Sequence, residues 1–152
     1  GYGKGSRLLK VNKTPDGMGV EIVYDKLPDQ VMSCEQQTPI FHEGLLYGIS
    51  PKDAGALKGQ FVCIKPDGTT VWSSGSDQRF GLGPFLMADN KFFILDDKGT
   101  LTMLDATQQS YVQLGRAEVL TGHDAWGPMT LAGSRLLVRE LKTLACVELG
   151  AS

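Results

Sequence analysis

The chain has 152 residues, 41% of them hydrophobic, with 15 Lys and Arg against 17 Asp and Glu, for a formal charge of −2 at pH 7. That length suits one domain. The near balance of charge leaves no basic stripe for nucleic acid, and no apolar run approaches the ~18 residues of a transmembrane segment.

The chain opens on "GYGKGS", without a methionine or a signal-peptide pattern, so Gly1 is expected to be either a cloning scar or the start of an excised piece. Arg7–Val11 and Val20–Tyr24 follow as two strands joined by the turn "TPDG", Thr14–Gly17. From Pro39 onward the sequence repeats. Pro39, Pro84 and Pro128 stand 45 and then 44 residues apart, the period of a four-stranded propeller blade. Each proline precedes a short apolar segment: Ile40-Phe41, Phe85-Leu86-Met87 and Met129-Thr130-Leu131. Proline lacks a ladder donor, so it belongs at the start of a strand or on an edge strand. Turns follow at Glu43-Gly44, Asp89-Asn90 and Gly133-Ser134. Second strands are predicted at Leu45–Ile49, Phe92–Leu95 and Leu136–Val138, and third strands at Phe61–Ile64, Leu101–Leu104 and Leu144–Val147. "DDKG", Asp96–Gly99, is a tight hairpin turn in which Gly99 takes positive φ. Fourth strands are predicted at Thr70–Trp72 and at Tyr111–Leu114, the latter extending toward Val119-Leu120.

The second strands are apolar at consecutive positions, the pattern of a strand covered on both faces. Sheets stacked around an axis meet that condition. The fold expected is therefore all-β: a partial β-propeller of about three four-stranded antiparallel blades. It comprises a half blade over about 7–25, blades over about 38–73 and 83–120, and an incomplete blade over about 127–149, all in one domain spanning 1–152. Closed rings have typically 4–8 blades. The apolar faces left open are expected to be covered by further blades of a parent, with Ser152 near its C-terminus, or by a protein partner or self-association as a homo-oligomer. On this register Cys63, Met103 and Cys146 occupy equivalent positions. Cys63 and Cys146 are expected to be small buried hydrophobes, and Cys34, in a polar loop, the free thiol.

The stretch "FGLGPFLMADNKFFILDDKGTLTMLDAT", continued through "LGRAEVL" and "HDAWGPMTLAGSRLLVRELKTLACVEL", resembles the C-terminal blades of the PQQ-like β-propeller repeat proteins. This is the quinoprotein alcohol-dehydrogenase-like superfamily, in its outer-membrane-assembly-lipoprotein-like branch. The resemblance covers about Arg7 to Leu149. It implies a bacterial periplasmic, cell-envelope or extracellular location. Some members are dehydrogenases that hold pyrroloquinoline quinone and calcium on the propeller axis, with a blade motif Ala-x-Asp-x-x-Thr-Gly-Lys-x-x-Trp. The nearest stretch here, "CIKPDGTTVW", keeps Gly68 and Trp72, but has Cys63 at the alanine position and Lys65 at the aspartate position. Asp105 lies in the second repeat without the glycine or tryptophan. Other members are non-catalytic and hold partner proteins with interblade loops.

No catalytic, cofactor or metal residues are assigned. The loop "TGHDAWG", Thr121–Gly127, is expected at a mouth of the central channel. There His123 and Asp124 suit metal binding or acid/base chemistry and Trp126 suits stacking on a ring; equally, Trp126 packs between blades, Asp124 bonds its turn and His123 is solvated. "SDQRFGLG", Ser76–Gly83, is the equivalent loop one blade earlier, bringing Arg79 and Phe80 as candidates for an anionic or sugar-like ligand, or else pairing Arg79 with Asp77. The function expected is a non-catalytic binding or assembly scaffold. The alternatives are the C-terminal part of a PQQ-dependent oxidoreductase and a glycan- or small-ligand-binding propeller.

Overall fold

The computed structural model describes residues 2–150. It is all-β, in four antiparallel sheets, with no α-helix among the described residues and one 3-10 turn at Gly55–Leu57. A two-stranded ribbon comes first, β1 (Ser6–Thr14) and β2 (Gly17–Lys26). A four-stranded sheet follows in the order β3 (Ile40–His42), β4 (Leu45–Ile49), β5 (Phe61–Ile64), β6 (Thr70–Ser73). A second has β7 (Phe85–Ala88), β8 (Lys91–Leu95), β9 (Thr100–Asp105) and β10 (Gln113–Glu118). The last has three strands, β11 (Thr130–Ala132), β12 (Arg135–Arg139) and β13 (Leu144–Glu148). Each sheet is a meander, so every strand pairs with its sequence neighbour and no ladder joins one sheet to another. No helix is long and apolar enough to cross a membrane among these residues.

Turn chemistry punctuates the repeats. Glu43 and Gly44 (φ 48° and 84°) and Asp89 and Asn90 (φ 47° and 54°) take positive φ at both central positions of their hairpins, the twist-matched geometry of a two-residue loop. In the Asp96 turn one carboxylate oxygen accepts from the N–H groups of Lys98 and Thr100, each at 2.9 Å, and Gly99 has φ 90°. The last strand of the β7–β10 sheet begins two residues later than its apolar run, at Gln113 rather than Tyr111. Tyr111 instead sets its ring edge-on to Trp72 at 6.4 Å, and a bulge at Gln113/Gly115 re-aims the strand.

Two cores hold the sheets face to face. Tyr47, Phe61, Cys63 and Trp72 of the first four-stranded sheet meet Phe85, Phe92, Ile94 and Leu104 of the second. The rings of Tyr47 and Phe92 are 4.7 Å apart, Phe61 and Phe92 5.2 Å, and Phe61 and Phe85 5.5 Å, with the last two edge-to-face. Each such pair adds about 0.5–1.5 kcal/mol beyond area burial. Phe93, Leu95 and Leu101, on the opposite face of the second sheet, meet Leu136 and Val138 of the last. The β7–β10 sheet is thus covered on both faces, which accounts for the run Phe92–Leu95 being buried at every position. Linkers seal both cores: Phe80 in the first, Leu120 and Ala125 in the second. Val31 and Met32 play the same part ahead of the first sheet, over Val62 and Ile64.

Two cysteines differ from expectation. Cys146 is exposed, because it faces away from the β7–β10 sheet on a surface that no other sheet covers. Cys34 is a free thiol in a loop, but it is half-buried rather than solvated. Its sulfur packs over Gly48, where a Cβ would stand 2.6 Å from it, and burial pushes the thiol's pKa up to about 11.

Replacing Phe92 with Ala is expected to cost about 3–5 kcal/mol in urea unfolding, whereas Lys52→Ala, in an exposed turn, is expected to change stability by less than about 0.5 kcal/mol. With a thiol reagent at pH 8 and low protein concentration, Cys146 is expected to react first, with Cys34 and Cys63 reacting only on unfolding; rapid labelling of Cys34 in native protein would contradict its packing.

Candidate functional site

The two loops singled out by sequence both run between sheets, and their side chains divide between packing and solvent. Phe80 is 3% exposed and lies edge-on to Phe61 at 6.4 Å, so its ring presents no face to a ligand. Arg79 is exposed, but its guanidinium is committed to backbone. Its Nε donates to the Ser76 carbonyl at 3.0 Å and its Nη1 to the Lys58 carbonyl. The Gln60–Arg79 bridge and the Phe80 N–H bond to the Gly59 carbonyl at 2.6 Å complete a clamp between the 57–60 and 76–80 segments. Arg79 does not pair with Asp77, which instead accepts from the Ser76 hydroxyl at 3.0 Å. A guanidinium with five fixed donors suits such multiple carbonyl contacts.

His123 stands in solvent with its Nδ1 2.9 Å from Asp124 Oδ2. Asp124 has φ 58°, one of the few non-glycine residues in the left-handed region. Trp126 is 37% exposed, with its indole N–H donating to Asp97 Oδ1 at 2.8 Å. Its carbonyl accepts from Gln37 Nε2 at 3.4 Å, which links the entrance of the last sheet to that of the first.

Asp97 is the residue that joins the two loops. Its Oδ1 accepts from the Leu82 N–H at 2.7 Å as well as from Trp126, and its backbone carbonyl accepts from the Ala125 N–H at 3.4 Å. Gly81 makes this possible: with φ 65°, any Cβ there would lie 1.8 Å from Asp97 Oδ2. The sequence holds a faint signal for this role. Asp96 alone satisfies the "DDKG" turn, which leaves the second aspartate without a local partner. The structure therefore brings Trp126 and the Gly81-Leu82 segment together, while Arg79 and Phe80 point elsewhere.

This loop cluster encloses little space. Beside the cluster, the cavity lined by Glu35, Gln37, Ser50, Gly81 and Leu82 holds ≈ 10 Å³, too small for an organic ligand, and neither Trp126 nor His123 lines it. The large concavity is elsewhere, a groove of ≈ 820 Å³ beside β9, β10 and β13. Phe93, Leu101, Met103, Val119, Leu131 and Val147 form its apolar floor, and Asp89, Lys91, Arg116 and Glu148 lie at its margin. Sequence reasoning did not find it, since it exists only where two sheets diverge.

Among the described residues no group of three or more His, Cys, Asp or Glu side chains is placed to hold a metal ion. The stretch nearest the quinoprotein docking motif does not fit that cofactor. Cys63 is fully buried against Tyr47 and Trp72, and burial raises its thiol pKa. Trp72 packs 5.9 Å from Tyr47 and 6.1 Å from Phe61, inside the core between sheets. Lys65 is a turn residue, its N–H bonded to the Thr69 carbonyl at 2.8 Å. None of the three lines either cavity.

No family model matches the chain, and no curated protein does. Among solved structures, the computationally designed Ika4 protein superposes with a TM-score of 0.55 at 13% identity, over 95% of this chain and 88% of that one. The computationally designed Ika8 protein gives 0.49 at 14% identity, over 88% of this chain and 40% of that one. The likeness to Ika4 is one of fold alone.

Asp97→Ala is expected to destabilise the protein by about 1–3 kcal/mol, since it strands two donors. In a Trp72→Phe background the same change should shift Trp126 fluorescence emission. An unchanged spectrum would show that the indole N–H bond does not hold in solution.

Proposed function

We propose that this chain is a partial β-propeller, of about three four-stranded PQQ-like blades, that works as a non-catalytic binding or assembly scaffold. The architecture is supported by three successive meanders at a common spacing, stacked face to face and each entered through a linker that dips between neighbours. The observation that carries the functional half is the distribution of open surface. None of Arg79, Phe80, His123, Asp124 and Trp126 lines the ≈ 820 Å³ groove or the ≈ 10 Å³ cavity beside Gly81, whereas the groove offers an apolar floor with a charged margin. A trough of that kind suits a polypeptide segment with apolar side chains on one face. The resemblance to periplasmic and envelope propellers supports the same setting for this protein.

The oxidoreductase reading draws no support from the quinone-motif side chains, which build the core between blades. The ligand-binding reading retains Trp126 and His123, whose rings reach solvent, and loses Phe80. Titration with pyrroloquinoline quinone and Ca²⁺ is expected to leave the quinone absorbance unchanged and to give no dye-linked alcohol oxidation. A spectral shift accompanied by turnover would replace the scaffold by an oxidoreductase. Trp126→Ala is expected to leave glycan binding at the background of the unmutated protein; a saccharide that binds the wild type and is lost in this variant would favour the ligand-binding propeller.

A further inference from the structure

The two ends of the row of sheets are unfinished in complementary ways. At one end the β1–β2 ribbon projects, anchored at its base only. Ser6 Oγ donates to the Met32 carbonyl at 2.9 Å, Lys26 Nζ donates to the Asp67 carbonyl at 3.1 Å, and Tyr24 packs against the core over Val62 and Ile64. Beyond that base the ribbon makes no comparable packing with any sheet. Cross-strand partners share a face, and successive residues alternate faces. Leu8 and Tyr24 are partners, so that face is turned toward the first sheet. The other face carries the pairs Leu9–Ile22 and Val11–Val20, with Met18 paired to Lys13 beyond them, and it is turned away. These five apolar side chains are 48–70% exposed. The opposite face carries Lys10–Glu21 and Asn12–Gly19. The ribbon is therefore amphipathic with its apolar side outward, the reverse of what a solvated hairpin needs.

At the other end lies the groove. β13 has a ladder partner on one side only, and beside it Met103 and Ala117 of the β7–β10 sheet lie open. The sheet's own facing partner covers only its inner part, through Leu131, Leu136 and Val147. Against its four-stranded neighbours the last sheet lacks an outer strand beside β13, and with it an apolar face toward β9 and β10. The ribbon offers such a face. It lies at the opposite end of its own row, tied to the first sheet, so the copy that can supply it is another one.

We propose that the β1–β2 ribbon of one copy lays its Leu9–Val11–Val20–Ile22 face into the β9–β10 groove of a second copy, and reciprocally, so that two chains form a closed two-fold pair. Two identical contacts related by one axis close the assembly without leaving a free end. On the propeller reading proposed above, on which this last step rests, each copy supplies about three blades and the pair about six, within the 4–8 of closed rings. Closure also sets the partner's exposed Phe41 (65%) toward the outward face that holds Leu137 and Cys146. Leu136-Leu137-Val138 is apolar throughout, the pattern of a strand covered on both faces, yet one face is open in the single chain.

The test is the solution mass of the chain by light scattering over a dilution series, with variants in both halves of the contact. Val20→Lys on the ribbon and Ala117→Arg in the groove replace exposed side chains, so each is expected to fold as the wild type by circular dichroism. The wild type is expected to be a dimer at tens of micromolar, and each variant to weaken dimerisation by on the order of 100-fold or more. Mixing the two variants should restore a dimer, because one unmodified ribbon then meets one unmodified groove. A wild type that stays monomeric overturns the proposal. So does a dimer indifferent to Ala117→Arg, which would mean that ribbons pair with ribbons. Alkylation of Cys146 separates docking from ring closure. Protection in the dimer supports the ring, whereas a dimer broken by both variants in which Cys146 reacts at the monomer's rate sinks the ring and the propeller reading while leaving the docking in place.

Discussion

Face-to-face packing of sheets through large aromatic side chains is the constraint on which this structure depends. Phe61 and Tyr47 on one sheet and Phe92 and Phe85 on the next meet between meanders whose strands share no ladder, and hydrogen bonds cross only through loops, as from Gln108 to Glu43. Cohesion between sheets is therefore carried mainly by apolar burial and ring geometry, each fully buried large side chain contributing about 1.5–3 kcal/mol. A sheet so covered needs apolar residues at every position of its central strands. The run Phe92–Leu95 and the buried face-to-face contacts are two expressions of one requirement.

The linkers complete this packing and set the character of the loop cluster. Phe80, Ala125 and Met32 are each pulled between sheets, which spends the side chains that a ligand site would otherwise use. What remains exposed is organised by backbone and carboxylate: Arg79 clamps two turns through their carbonyls, and Asp97 collects the Leu82 and Trp126 donors. A buried or half-buried donor left unpaired costs about 1–3 kcal/mol, so these contacts act first as fasteners. Trp126 combines both roles, its N–H fixed on Asp97 and part of its ring in solvent.

Open surface is concentrated at the two ends of the row. The ribbon turns five apolar side chains to solvent, 48–70% exposed, and the groove keeps an apolar floor. Their complementarity gives the scaffold reading a physical basis, because the interaction surfaces are extended and apolar rather than small and polar. It also explains the behaviour of equivalent positions. Cys63, Met103 and Cys146 each pair with the third residue of the preceding strand, yet they run from buried to half-buried to exposed as the sheet they face falls from four strands to three to none.

The all-β class, the strand order and most strand positions were legible in the sequence. Runs of apolar residues at a fixed spacing, broken by Glu43-Gly44, Asp89-Asn90 and the Asp96 turn, specify local hairpins whose information is entirely short-range. The displaced start of β10 was not legible, because Tyr111 leaves its strand to meet Trp72, a partner 39 residues away. Nor were the burial of Phe80 and Cys34, the commitment of Arg79 to carbonyls, or the Asp97 junction. Each depends on which sheet or loop lies opposite, and a period of two along a strand says only that a face is apolar, not what covers it. By itself the sequence determined a repeated sheet made to be covered; only the tertiary structure decided which faces are covered within one chain and which, on the ribbon and beside β13, are left open.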